Sequence, residues 1–125
     1  MRALIVDDER AFCDIAREFL SGFCEVRVAP TAWEGAVLFE DFQPDIMVVD
    51  NQLPDSPGAD LVLRVRGRKE AYILLVSIDR EEDIAARLLP QKADAFLKKP
   101  FRRQDLEEAL LRAVAAVKRS KGRKA

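Results

Sequence analysis

With 125 residues, 49% of them hydrophobic and 34% charged, and a formal net charge of −1, the chain has the balance of one globular domain rather than of a disordered segment. No apolar run nears the ~20 residues that cross a bilayer, and the opening Met1-Arg2-Ala3-Leu4-Ile5-Val6 turns acidic too soon for a signal peptide, so a cytoplasmic location is expected. Histidine is absent, which excludes Ser-His-Asp and Cys-His nucleophiles, histidine-bound zinc and a phosphohistidine carrier.

Five short apolar runs alternate with five stretches of helical period. Leu4-Ile5-Val6 opens the series, and Phe12, Ile15, Ala16, Phe19 and Leu20 then recur at the spacing of one helix face. The second run, Val26-Arg27-Val28-Ala29, alternates and predicts an edge strand. Thr31-Ala32-Trp33-Glu34 is a capping box for a second helix that continues through Ala36, Val37 and Phe39 and stops before Pro44. Ile46-Met47-Val48-Val49 predicts the third strand, with a helix from about Gly58 to Arg66. Ile73-Leu74-Leu75-Val76 predicts the fourth, followed by a helix capped by Asp79 and ended or kinked near Leu89 by Pro90. Ala95-Phe96-Leu97 is the fifth strand. Leu106, Ala109, Leu110, Ala113, Val114 and Val117 mark the clearest amphipathic helix. Runs one, three and four lack the alternation of a half-exposed strand, as strands covered on both faces should. The alternation predicts an α/β fold, (βα)5 with a parallel sheet and right-handed crossovers. Cys13 and Cys24 form no CxxC pair, and their apolar neighbours predict buried thiols.

Residues 1–118 read as the domain and 119–125 as a basic tail or linker remnant. Removing the five cations from Lys118 onward takes the net charge from −1 to −6, so the body is acidic. The tail has no aromatic residue and no recognition motif, and direct nucleic-acid binding is not expected.

Ligands of open α/β sheets bind beyond the carboxyl ends of the strands. The residues that follow the apolar runs there are Asp7-Asp8, Asp50, Ser77 and Lys98-Lys99-Pro100. Each has an ordinary structural use: Asp8 as a helix cap, Asp50 or Ser77 in its own turn, Lys99 as a solvated strand end. Together, three carboxylates at one rim repel one another unless a cation is present, and hard oxygens without Cys or His select Mg²⁺ or Mn²⁺.

The pattern resembles a response-regulator receiver domain over residues 2 to about 118. The resemblance rests on Val6-Asp7-Asp8-Glu9, on Pro44-Asp45-Ile46-Met47-Val48-Val49-Asp50, on Leu53-Pro54 with Gly58, on Ser77 after Leu74-Leu75-Val76, and on Ala93-Asp94-Ala95-Phe96-Leu97-Lys98-Lys99-Pro100-Phe101. It implies a flavodoxin-like three-layer sandwich with strand order 2-1-3-4-5 and a phosphoacceptor role in a two-component phosphorelay. Asp50 would then take a phosphoryl group from a sensor histidine kinase or a histidine phosphotransfer protein. Asp8 would ligate Mg²⁺ directly (Mn²⁺ could substitute), Asp7 would support it through water, and Asp50 with the backbone carbonyl of Gln52 would add oxygens. Lys99 would pair with Asp50 and later with the phosphoryl group, whereas strand alternation turns Lys98 to the opposite face. Ser77 would be the switch hydroxyl and Phe96 the aromatic that fills the space it vacates. The implied chain is not an enzyme beyond catalysing its own phosphorylation and slow dephosphorylation. A downstream effector or fused output domain would read the switch, and a homodimer through the face of the fourth and fifth helices is left open.

Three departures stand out. Ile78 occupies a position where the family usually has a small residue, and should crowd the entrance used by phosphodonor and hydrolytic water. Gln52 and Asp79 flank that entrance and could orient such a water. Lys92 replaces a usual glycine and should alter only a helix-to-strand turn. Competing functions fit less well. A flavin carrier needs a phosphate loop where Asp7-Asp8-Glu9 would repel one, and an aspartate-nucleophile phosphatase needs a second acid at Gln52. A phosphorylation-independent pseudo-receiver scaffold would have no need of Asp7, Asp8, Asp50, Ser77 and Lys99 together.

Overall fold

The computed structural model describes residues 1–78 and 93–124, with side chains to residue 122. The elements are β1 (Arg2–Val6), α1 (Arg10–Leu20), β2 (Glu25–Ala29), α2 (Ala32–Phe42), β3 (Ile46–Asp50), α3 (Gly58–Val65), β4 (Tyr72–Ser77), β5 (Ala95–Lys98) and α4 (Arg103–Lys124). The helix expected from Asp79 to Leu89, with Pro90 and Lys92, lies outside the described residues.

The five strands form one parallel sheet in the order β2-β1-β3-β4-β5. Its two faces explain the unbroken apolar runs. Leu4, Val6, Met47, Val49, Ile73 and Leu75 point to the side covered by α2 and α3. Their neighbours Ala3, Ile5, Ile46, Val48, Leu74 and Val76 point to the side covered by α1 and α4. Period-two alternation with both faces buried leaves no polar position in a central strand, and each large side chain so buried contributes about 1.5–3 kcal/mol. β2 has one covered neighbour and keeps the polar alternation of an edge.

The helices follow their stripes with one correction. Phe12, Ala16 and Leu20 of α1 are buried, as are Leu106, Ala109, Leu110, Ala113, Val114 and Val117 of α4. On α2, however, Val37 faces solvent, while Phe39 and Phe42 are buried. Val37 stands two residues, about 200°, around the helix from Phe39, and shares its outward face with Trp33 one turn earlier. Trp33 is 67% exposed. Cys13 is buried and Cys24 only half-buried, both as free thiols.

Two ties at the ends of the helices were not predicted. Thr31 Oγ1 accepts from Glu34 N at 3.1 Å, half of the expected capping box, and the Asp55 carboxylate adds a second cap from the loop after β3. Its oxygens accept from Ala32 N at 2.8 Å and Trp33 N at 3.0 Å. At the opposite end of the sheet Asp45 accepts from Arg2 N at 2.8 Å and lies 3.4 Å from Lys121 Nζ and 3.6 Å from Lys69 Nζ. The stretch after residue 118 thus continues α4 as helix to Lys124.

Candidate functional site

Parallel pairing aligns the carboxyl ends of the strands and brings their last residues, or the next ones, to a common rim. Asp7 N donates to Ala29 O at 3.0 Å, Asn51 N to Val76 O at 2.8 Å, and Lys99 N to Ser77 O at 2.8 Å. These bonds extend the ladders past β1, β3 and β5 and fix where Asp7, Asp50 and Lys99 present their side chains.

The three carboxylates meet. One oxygen each of Asp7, Asp8 and Asp50 lies within 4.8 Å of the others. Asp7 is 2% exposed, Asp50 3%, and Asp8 faces solvent. Asp50 Oδ1 accepts from Gln52 N at 3.0 Å, and Asp50 Oδ2 lies 3.3 Å from Lys99 Nζ. Asp7 Oδ1 accepts from Glu9 N at 2.8 Å, but Asp7 Oδ2 is buried with no partner among the described residues. Burial pushes the Asp7 carboxyl from an ordinary 3.8 up to about 6 against the lowering pull of the Glu9 N–H, with the Asp50 charge adding to it. The Cys13 thiol, which donates to Asp7 O, is pushed up to about 11 by burial first and Asp7 second, so it is an inert packing group.

Lys99 reaches Asp50, while Lys98 is exposed. The Lys99–Pro100 peptide bond is cis. Ser77, at the end of β4, is 1% exposed, and its Oγ accepts from Gln52 Nε2 at 3.2 Å. Phe96 is partly buried on edge strand β5 and packs against the core on the α2–α3 side. Ile78 is 61% exposed and joins Phe12, Ile15, Lys99, Pro100 and Phe101 around a groove of about 510 Å³. Asp79 lies outside the described residues.

The loop after β3 is held by residues that sequence reasoning passed over. Asn51 is buried, and its Oδ1 accepts from Ala59 N at 2.9 Å while its backbone oxygen accepts from Gly58 N at 2.9 Å. The available signal was Pro57, the N-cap of α3, whose side chain has no acceptor to offer, so another group had to satisfy the first turn. Gly58 has a close-approach reason to be glycine: a Cβ there would stand 2.2 Å from Asp50 O. The start of α3 therefore rests directly on the backbone of Asp50, and Gln52 is bridged to Pro57 across the same loop.

The arrangement is an acidic, all-oxygen pocket beside one ammonium group, with a buried hydroxyl next to it. Compared with known families, residues 3–111 match the response regulator receiver domain. The transcriptional regulatory protein TrcR of Mycobacterium tuberculosis is 32% identical over 124 residues, covering 96% of this chain and 46% of that protein. The response regulator MprA of the same species is 33% identical over 126 residues, covering 97% and 52%. This chain thus spans about half the length of these curated relatives. A solved CheY-like receiver domain protein from Methanospirillum hungatei superposes with a TM-score of 0.83 at 28% identity, covering 95% of this chain and 97% of that one.

Proposed function

The chain belongs to the response regulator receiver domain family, and we propose that Asp50 is its phosphoacceptor, taking a phosphoryl group from the phosphohistidine of a sensor kinase or phosphotransfer protein. The observation that carries this is the Asp50 carboxylate, 3% exposed, fixed by Gln52 N and facing Lys99 Nζ at 3.3 Å beside two further carboxylates. In the proposed step an Asp50 oxygen attacks phosphorus, the P–N bond breaks, and the donor imidazole keeps the electron pair and takes up a proton. Lys99 then exchanges its partner from carboxylate to phosphoryl oxygen, neutralising charge that grows on the three equatorial oxygens.

The donor set fits a hard divalent cation. It offers only oxygens, and buried Asp7 Oδ2 lacks a partner among the described residues. Asp8 and Asp50 with the Gln52 carbonyl would hold Mg²⁺ or Mn²⁺, and Asp7 would support it from the buried side. Bound there, the ion supplies charge neutralisation for the incoming phosphoryl group. The groove that Lys99 shares with Phe12, Ile15 and Phe101 adjoins the acceptor, and it suits the apolar face of a phosphodonor helix. Phosphorylation would draw Ser77 toward the phosphoryl group with Phe96 following, a population shift read by an effector or a fused output domain. Such a relay works in the cytoplasm; among the described residues no helix is long and apolar enough to cross a membrane.

Incubation with acetyl phosphate and Mg²⁺ tests the reading by intact-mass spectrometry. One phosphoryl adduct is expected on the wild type and none on Asp50→Asn. An adduct retained by the variant would mean that another residue is the acceptor.

A further inference from the structure

We infer that Gln52 is a positioning residue for the switch hydroxyl, an amide latch that holds Ser77 in its unphosphorylated setting and must let go when the phosphoryl group arrives. The inference rests on the phosphoacceptor reading of Asp50. Gln52 Nε2 donates to Ser77 Oγ at 3.2 Å, and the two residues lie 25 positions apart, on the loop after β3 and at the end of β4. Both ends of the latch are anchored by backbone. The Gln52 N–H is spent on Asp50 Oδ1 at 3.0 Å, and the residue is bridged to Pro57. Ser77 is paired with Lys98 in the sheet, and its carbonyl accepts from Lys99 N at 2.8 Å. With the backbone fixed on both sides, the hydroxyl can leave Gln52 by rotation of its own side chain.

Exposure supports the same picture. Ser77 is 1% exposed, while Gln52, which reaches it, lies at the surface. The buried hydroxyl thus meets a side chain that itself reaches solvent. Its backbone bond to Asp50 ties the latch to the residue whose chemistry releases it. A neutral hydrogen bond of this kind shifts a two-state equilibrium about fivefold. Its loss should bring the unphosphorylated protein that much nearer the switched state.

The test is beryllofluoride binding with Mg²⁺, measured by calorimetry on the wild type, Gln52→Ala, Gln52→Met, Ser77→Ala and the Gln52→Met/Ser77→Ala double variant. Met keeps the length of the side chain and lacks the N–H donor. Both Gln52 variants should bind about fivefold more tightly than wild type. The gain should vanish in the Ser77→Ala background, which a general loosening of the loop would not produce. In metal-free protein the Ser77 and Lys99 amide resonances of Gln52→Met should move along the line from free to beryllofluoride-bound wild type. Unchanged or weaker binding by both variants overturns the latch, and so does an equal gain without Ser77. Wild type that binds no beryllofluoride overturns the phosphoacceptor reading itself, and the latch with it.

Discussion

Replacing Asp7 with Asn should stabilise the metal-free protein at neutral pH. Asp7 is 2% exposed, its Oδ2 has no partner among the described residues, and its carboxyl is raised from 3.8 to about 6. A raised carboxyl means that the folded protein holds this proton more tightly than the unfolded chain does. Its stabilising contribution is complete below pH 3.8 and is lost as the pH rises to about 6. About two pH units at ~1.4 kcal/mol each put the cost near 3 kcal/mol at pH 7. Asn carries no charge to desolvate and can offer an N–H toward Asp50. Urea unfolding in EDTA should therefore show Asp7→Asn more stable by about 2–3 kcal/mol at pH 7, with a gain below about 1 kcal/mol at pH 4. Saturating Mg²⁺ should stabilise the wild type by mass action and narrow or reverse the difference. If the variant in EDTA at pH 7 is no more stable than wild type, or gains as much at pH 4, the charge at Asp7 is not the source of strain.

Other substitutions probe the frame of the site. Gly58→Ala sets a Cβ 2.2 Å from Asp50 O and 2.8 Å from Val49 Cγ1. Either α3 or Asp50 must move by about 1 Å, so phosphorylation from acetyl phosphate should slow ~100-fold, alongside a loss of about 1–3 kcal/mol; wild-type rate and melting temperature together would contradict the close approach. Asn51→Ala leaves Ala59 N without its acceptor and should cost about 1–2 kcal/mol in chemical denaturation, and an unchanged midpoint would show that α3 is capped by other means. Ile78→Ala should release phosphate from the phosphoprotein faster than wild type with Mg²⁺ present, since it opens the groove that Lys99 shares; an equal or slower release would place the limiting step elsewhere.

What could be read in advance was whatever leaves a periodic mark. The three central strands were legible because burial on both faces removes polar residues from Leu4-Ile5-Val6, Ile46–Val49 and Ile73–Val76, and edge strand β2 because Arg27 keeps a polar position. The pairing of Lys99 with Asp50 came from the family resemblance, and strand alternation only set Lys98 aside. Contacts between distant segments leave no such mark. Asp55 on the N-terminus of α2, Asn51 on that of α3 and Lys121 beside Asp45 are single side chains meeting backbone or charge 8 to 76 residues away. Val37 was counted with the apolar residues of the second helix, but its angular position on α2 turns it to solvent. The unequal burial of Asp7 and Asp8 is likewise a product of tertiary packing, invisible in two adjacent identical residues.

The clasp at Asp45 gives α4 the mechanics of a lever. Its last core residue is Val117, and the helix runs seven residues further, a projection of about 10 Å. A tilt of 10° over the seven residues past Val117 would carry their far end about 2 Å sideways, with the packed stretch from Leu106 to Val117 as the fixed base. Lys121, held against Asp45 at 3.4 Å, and Lys118, over the Phe23 ring at 5.7 Å, are the brakes on that swing, and the exposed ion pair is a weak one, worth at most about 1 kcal/mol. Salt near 1 M, where the Debye length falls to about 3 Å, would slacken it further. The solution around it thereby tunes one tie of this arm, while the pocket at the opposite end of the sheet keeps its geometry through buried backbone bonds.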